Sequence, residues 1–165
     1  MHRAIVLALL MLVTAAFLVE AENTQTSDVT IKWIKYLDPT NKNDTAYGTC
    51  IFGDYVAVVG WTNITTANLL FKTGKPYVAL IHKNNGSVTK EWIGNEEGRF
   101  YNCISVNRKL YVVGSTGIYV FDADLNVLTR VKREDSFYYS LAYDGKLLYI
   151  GGWIYENVKN VTGYE

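Results

Sequence analysis

From residue 47 onward, apolar positions alternate or run in fours and fives, and Gly, Asn and Asp separate the runs. Alternation has the period of strands, and the separators are turn formers, so the chain predicts short antiparallel strands rather than helices. Three stretches align on the glycine that ends their second strand: YGTCIFGDYVAVVGW (47–61), YNCISVNRKLYVVGS (101–115) and YSLAYDGKLLYIGGW (139–153). Each opens on Tyr, passes an apolar strand, turns at Gly, Asp or Asn, and returns to a Gly. The halves that follow also align, YVALIHKNNGSVTKEW (77–92) with GIYVFDADLNVLTRVK (117–132). VTIKWI at 29–34 is similar to VTKEWI at 88–93 and reads as a lone fourth strand.

The predicted fold class is therefore all-β, built from four-stranded antiparallel meanders. In the second unit the strands fall at about 101–106, 110–114, 117–122 and 127–132. The units run at about 28–38, 46–95, 101–133 and 138–165, with 62–76 read as a loop inserted into the first full unit. A repeat of about forty residues with four strands is the period of a β-propeller blade, whose faces are buried only by stacking on neighbours. About three blades are present, an incomplete ring, since propellers close with roughly four or more. The chain is then the first part of a longer propeller, or completes a ring with copies of itself, or forms an open stack or sandwich. The need to cover edge strands favours the first.

YVFDADLNVLTR and DGKLLYIGG carry a resemblance to quinoprotein-like propellers, and more loosely to kelch and NHL repeats. Asp122, Ala123 and 144–152 match that pattern. Its tryptophan is displaced, with Trp92 two places late and Val131 where the second unit should carry it. The resemblance implies propeller blades and no cofactor.

Residues 1–21 differ from the rest. Arg3 precedes a charge-free apolar run from 4 to 19, and Val19 and Ala21 suit a cleavage site. The run is short of the roughly 20 residues of a bilayer span, so it reads as a secretory signal helix removed on export, leaving no membrane span. The expected location is extracellular or the cell envelope. Asn43, Asn63, Asn85 and Asn160 then become N-glycosylation acceptors, all in predicted turns or loops.

Charge changes the picture little: 16 basic and 16 acidic residues give no net charge, which argues against a nucleic-acid partner. His82 would stand alone after the signal is removed and reads as a solvated turn residue, so no catalytic triad or zinc set can be drawn. Asp122, Asp124 and Asn126 alternate as in a calcium loop, but Val127 and Arg133 replace its Gly and Glu, and a hairpin turn explains the spacing better. Cys50 and Cys103 occupy equivalent places in successive units. Export permits a disulfide, whereas splayed inner strands favour two small buried thiols.

Trp61 and Trp153 follow the strand-ending glycines, and with Tyr155 they form a candidate aromatic platform for a protein or carbohydrate ligand on the loop face. The expected function is a binding or assembly module with no catalysis of its own. The alternatives are the first part of a propeller oxidoreductase or hydrolase, or a carbohydrate-binding module.

Overall fold

The computed structural model describes residues 30–66 and 72–154. The signal segment 1–21, Tyr155 and Asn160 lie outside the described residues. Ten strands are described: β1 (Asn43–Phe52), β2 (Tyr55–Thr66), β3 (Lys72–His82), β4 (Val88–Ile93), β5 (Phe100–Val106), β6 (Lys109–Gly114), β7 (Gly117–Phe121), β8 (Val127–Val131), β9 (Ser136–Tyr143) and β10 (Leu148–Ile154). They form antiparallel sheets β1-β2-β3-β4, β5-β6-β7-β8 and β9-β10, and all belong to one unit that begins at Lys32. Among the described residues there is no helix.

Alternation along the strands sorts the side chains to two faces. On β2 and β3, Ala57, Val59, Val78 and Leu80 face the second sheet and join Phe100, Leu110, Val112 and Phe121 in the main core. Their neighbours Val58, Tyr77, Ala79 and Ile81 form a smaller cluster on the opposite face. Trp92, from β4, closes the main core. It stacks on Phe100 at 5.8 Å and meets Phe121 edge-on at 5.1 Å. Each fully buried aromatic there contributes about 1.5–3 kcal/mol of transfer free energy.

The first strands of the three sheets lie side by side, with β5 between β1 and β9. The tyrosine that opens each unit marks this line. Tyr47 meets Tyr101 at 5.6 Å, and Tyr101 meets Tyr139 at 4.7 Å. Burial raises the Tyr101 hydroxyl above its usual pKa. Cys50 on β1 and Cys103 on β5 are joined as a disulfide, with Cα atoms 5.8 Å apart. The splay expected of these strands does not develop at this level, because the small residues beside the cysteines, Gly48 among them, let the backbones approach. A Cβ on Gly48 would lie 2.7 Å from the Tyr101 carbonyl oxygen.

Two expectations are corrected. Residues 30–42 form no strand, so the lone fourth strand at 28–34 is absent over its described part. This segment contacts the sheet through side chains instead. Trp33 and Leu37 pack on the smaller cluster, and the Trp33 indole donates to the Lys83 carbonyl at 3.0 Å. Residues 62–76 are not simply a loop either. β2 and β3 continue into them as a longer hairpin, pairing Thr62 with Lys75 and Thr65 with Thr73. The β-branched residues Thr62, Ile64, Thr65 and Thr66 of the first arm suit a pleated ribbon.

Candidate functional site

The end of the sheets where second strands finish is built three times in the same way. Register shifts fall between Ala46 and Gly48, Phe100 and Asn102, and Gly151 and Gly152. At each irregularity the first strand's carbonyl presses on the glycine of the second. A Cβ on Gly60 would lie 1.9 Å from Thr45 O, on Gly114 2.1 Å from Arg99 O, and on Gly152 2.1 Å from Phe137 O. No larger side chain fits there, which is the physical reason for the glycine seen in every unit. The bulge re-aims the residues beside it. Trp61 pairs with Thr45, Ser115 donates its backbone N–H to Arg99 O at 3.0 Å, and Trp153 pairs with Phe137.

These positions converge on a rim groove of about 300 Å³. Trp61 and Gly74 come from the first sheet, Gly98, Arg99 and Ser115 from the second, and Phe137 from the third. Trp61 is buried, not displayed, at 4% exposure. The Arg99 guanidinium lies over its ring at 4.2 Å, a cation–π contact. The Ser115 hydroxyl accepts the Arg99 backbone N–H at 3.0 Å and fixes the loop. Phe137 stacks on Trp153 with ring centroids 4.7 Å apart, and Trp153 remains 42% exposed while its indole donates to the Tyr139 hydroxyl at 3.0 Å. Trp61 therefore lines the groove beneath Arg99, whereas Trp153 is linked to it only through the stacked Phe137.

Arginines differ sharply around this region. Arg130 is paired with Glu96, donates to Thr116 O at 2.9 Å and lies over Tyr119. Arg99 has no carboxylate within ion-pair reach among the described residues, although Glu97 lines the same groove.

A second cleft, of about 340 Å³, lies on the outer face of the first sheet among Trp33, Leu37, Val56, Val58, Tyr77 and Ile81. Tyr77 donates to Glu91, and burial, then that hydrogen bond, push its pKa well above the ordinary tyrosine range. Asp44 borders this cleft. Its Oδ1 accepts from Thr62, from Thr40 at 3.5 Å and from the Asn63 N–H at 3.2 Å.

Asp122, Asp124 and Asn126 are placed in the β7–β8 turn. Asp122 accepts from the Asp124 and Asn126 N–H groups, each at 2.8 Å, and from the Asn126 amide at 2.9 Å. Those bonds hold the Asp122 carboxyl below its usual pKa, the Asn126 side chain first. Asp124 turns away to pair with Lys90. No group of three or more metal-ligating side chains occurs among the described residues. His82 is half-buried at the β3 turn, edge-on to Tyr55 at 6.0 Å.

The sequons divide. Asn85 is exposed in a turn as expected. Asn43 is exposed but begins β1, and Asn63 is a half-buried residue of β2 at φ 55°, where the chain slips register. The turn placement expected for these two is corrected: Asn43 pairs with Ile64 in the β1–β2 ladder, and Asn63 lies within β2 at the irregularity between Thr62 and Thr65.

Arg99, Ser115 and Phe137 are absent from the sequence-based candidates. Their signal was present: Thr45, Arg99 and Phe137 each stand two residues before a unit's opening Tyr. Comparison with known protein families, with curated proteins and with solved structures finds no match to this chain.

Proposed function

We propose that the chain is a secreted or cell-envelope module of β-propeller type that serves binding and assembly and has no catalysis of its own. One observation carries the reading: β1, β5 and β9 lie side by side, and the first two of their sheets share a core, as stacked blades do. The signal-like segment 1–21 and the Cys50–Cys103 bridge are consistent with an oxidising compartment.

Assembly is supported by the third sheet. Among the described residues it has the two strands β9 and β10, and Tyr149, Ile150, Trp153 and Ile154 of β10 are exposed. The occupant we assign to that surface is the first sheet of a second copy. Inside the chain one face of β1–β4 packs on the sheet β5–β8. The counterpart of the β10 surface is the outer face of β1–β4, whose cleft is lined by Val56 and Val58 together with Trp33 and Leu37 packed upon it. Such a head-to-tail contact is heterologous, and it closes as a ring when the rotation between copies divides a full turn.

Light scattering on the chain lacking 1–21 tests this. The expected mass is a multiple of the monomer, collapsing to the monomer in Tyr149→Glu/Ile150→Glu. A wild-type chain that unfolds cooperatively as a monomer at micromolar concentration overturns the assembly reading.

A further inference from the structure

We propose that the rim groove is a binding site for an acidic sugar, with Arg99 holding its carboxylate and Phe137 with Trp153 supporting its ring. The inference rests on the reading of the chain as a binding module, and not on how copies assemble.

Arg99 is the first part of the argument. A guanidinium offers five donors in a planar fork that fits a carboxylate in two parallel bonds. Here that fork is half-buried in a groove, lies over the buried Trp61 ring at 4.2 Å, and is left without a carboxylate partner among the described residues. This contact fixes the guanidinium in advance, so little side-chain freedom remains to be lost on binding. Arg130 at the neighbouring position does the opposite work, with its donors taken by Glu96 and Thr116.

The groove itself is the second part. It joins strands β2, β3 and β9 with the β4–β5 loop and the turn after β6, so its shape depends on how these parts of three successive sheets pack. At about 300 Å³ it is near the lower size of ligand pockets and takes one ring with its substituent rather than an extended chain. The flanking aromatic pair is flat and stacked, with Trp153 partly open to solvent. Such a surface suits the C–H face of a pyranose, and the Ser115 hydroxyl and Gly98 backbone border it with polar atoms. Glu97, on the same groove, disfavours a ligand carrying more than one negative charge.

The experiment is NMR titration of the oxidised chain lacking 1–21 with methyl galacturonide, which carries one ring and one carboxylate, with the matching neutral methyl galactoside, and with a short polyglutamate peptide. Expected are shifts of the Gly98, Arg99 and Ser115 amides and of the Trp153 indole with the uronide alone, weakening as salt is raised. Arg99→Gln should lower the affinity about tenfold or more. Arg99→Lys, which keeps a cation and an apolar stem over Trp61, should fold as the wild type and bind several-fold more weakly. Absence of shifts at these residues with the uronide, equal binding of the neutral sugar, a response to polyglutamate alone, or unchanged affinity in both Arg99 variants overturns the site. Self-association measured on the same samples reports separately on the module reading.

Discussion

Opening the Cys50–Cys103 bridge isolates the cost of freeing the first strands of adjacent sheets. The bridge closes a loop spanning 53 residues, and the loss of chain entropy for a loop that long stabilises the folded state by about 4 kcal/mol. In a domain of this size each kcal/mol moves the melting temperature by about 3 °C, so reduction should lower it by about 12 °C. Reduction removes the link without removing atoms. Cys50→Ala/Cys103→Ala also removes sulfur from a site where Cys103 is 5% exposed, which adds about 1 kcal/mol of lost packing. Thermal melts followed by circular dichroism would compare the oxidised chain, the reduced chain and the double variant, with intact mass under non-reducing conditions confirming the state of each. The order expected is oxidised above reduced above double variant. An oxidised chain whose melting point is unmoved by complete reduction would refute the loop argument, since the link would then constrain nothing in the unfolded chain.

Gly114→Ala should cost at least about 2 kcal/mol in urea unfolding, because its Cβ would meet Arg99 O at 2.1 Å, whereas Gly145→Ala, with open space around it, should cost only the strain of a positive φ, about 1 kcal/mol. Phe121→Ala should cost about 3–5 kcal/mol in the same assay, as the ring is wholly buried among Trp92, Phe100 and Tyr119. Asp144 is held below its usual pKa by the Leu147 and Lys146 N–H groups and then the Tyr149 hydroxyl. Its contribution is therefore full above the unfolded value of 3.8 and fades as pH falls through the lower folded value. Protection of the Lys146 and Leu147 amides, measured relative to the intrinsic exchange rate at each pH, should fall across that acid range, and Asp144→Ala should remove this fall. Added calcium should leave the Asp122 and Asn126 amide resonances in place, since Asp122 is engaged within its own turn and Asp124 with Lys90.

The hairpins were legible because their signals are local. Alternation, the turn residues and the recurring Gly placed β5 to β8 within about two residues of their observed bounds. Features that depend on distant partners were not. Residues 28–34 share the alternation of β4, but periodicity says nothing about whether an edge is available, and Trp33 found a face instead. The insertion at 62–76 carried Gly74 and Pro76, which read as loop formers, yet ladder pairing with Lys75 and Thr73 prevails. At the rim, Trp61 and Trp153 stood out by residue type. Arg99 and Phe137 did not, because their role comes from the neighbouring unit: a guanidinium becomes a site component only when a tryptophan from the preceding sheet lies beneath it.

The column of Tyr47, Tyr101 and Tyr139 has a consequence for how such a chain changes length. One contact is used at both junctions, each ring meeting the ring that opens the next unit. Splicing in another copy of 101–138 would set the same residue at each new junction, so growth by whole units asks for no new interface. Loss of part of a unit has no such allowance, because the ring would then face whatever residue the frame happened to bring.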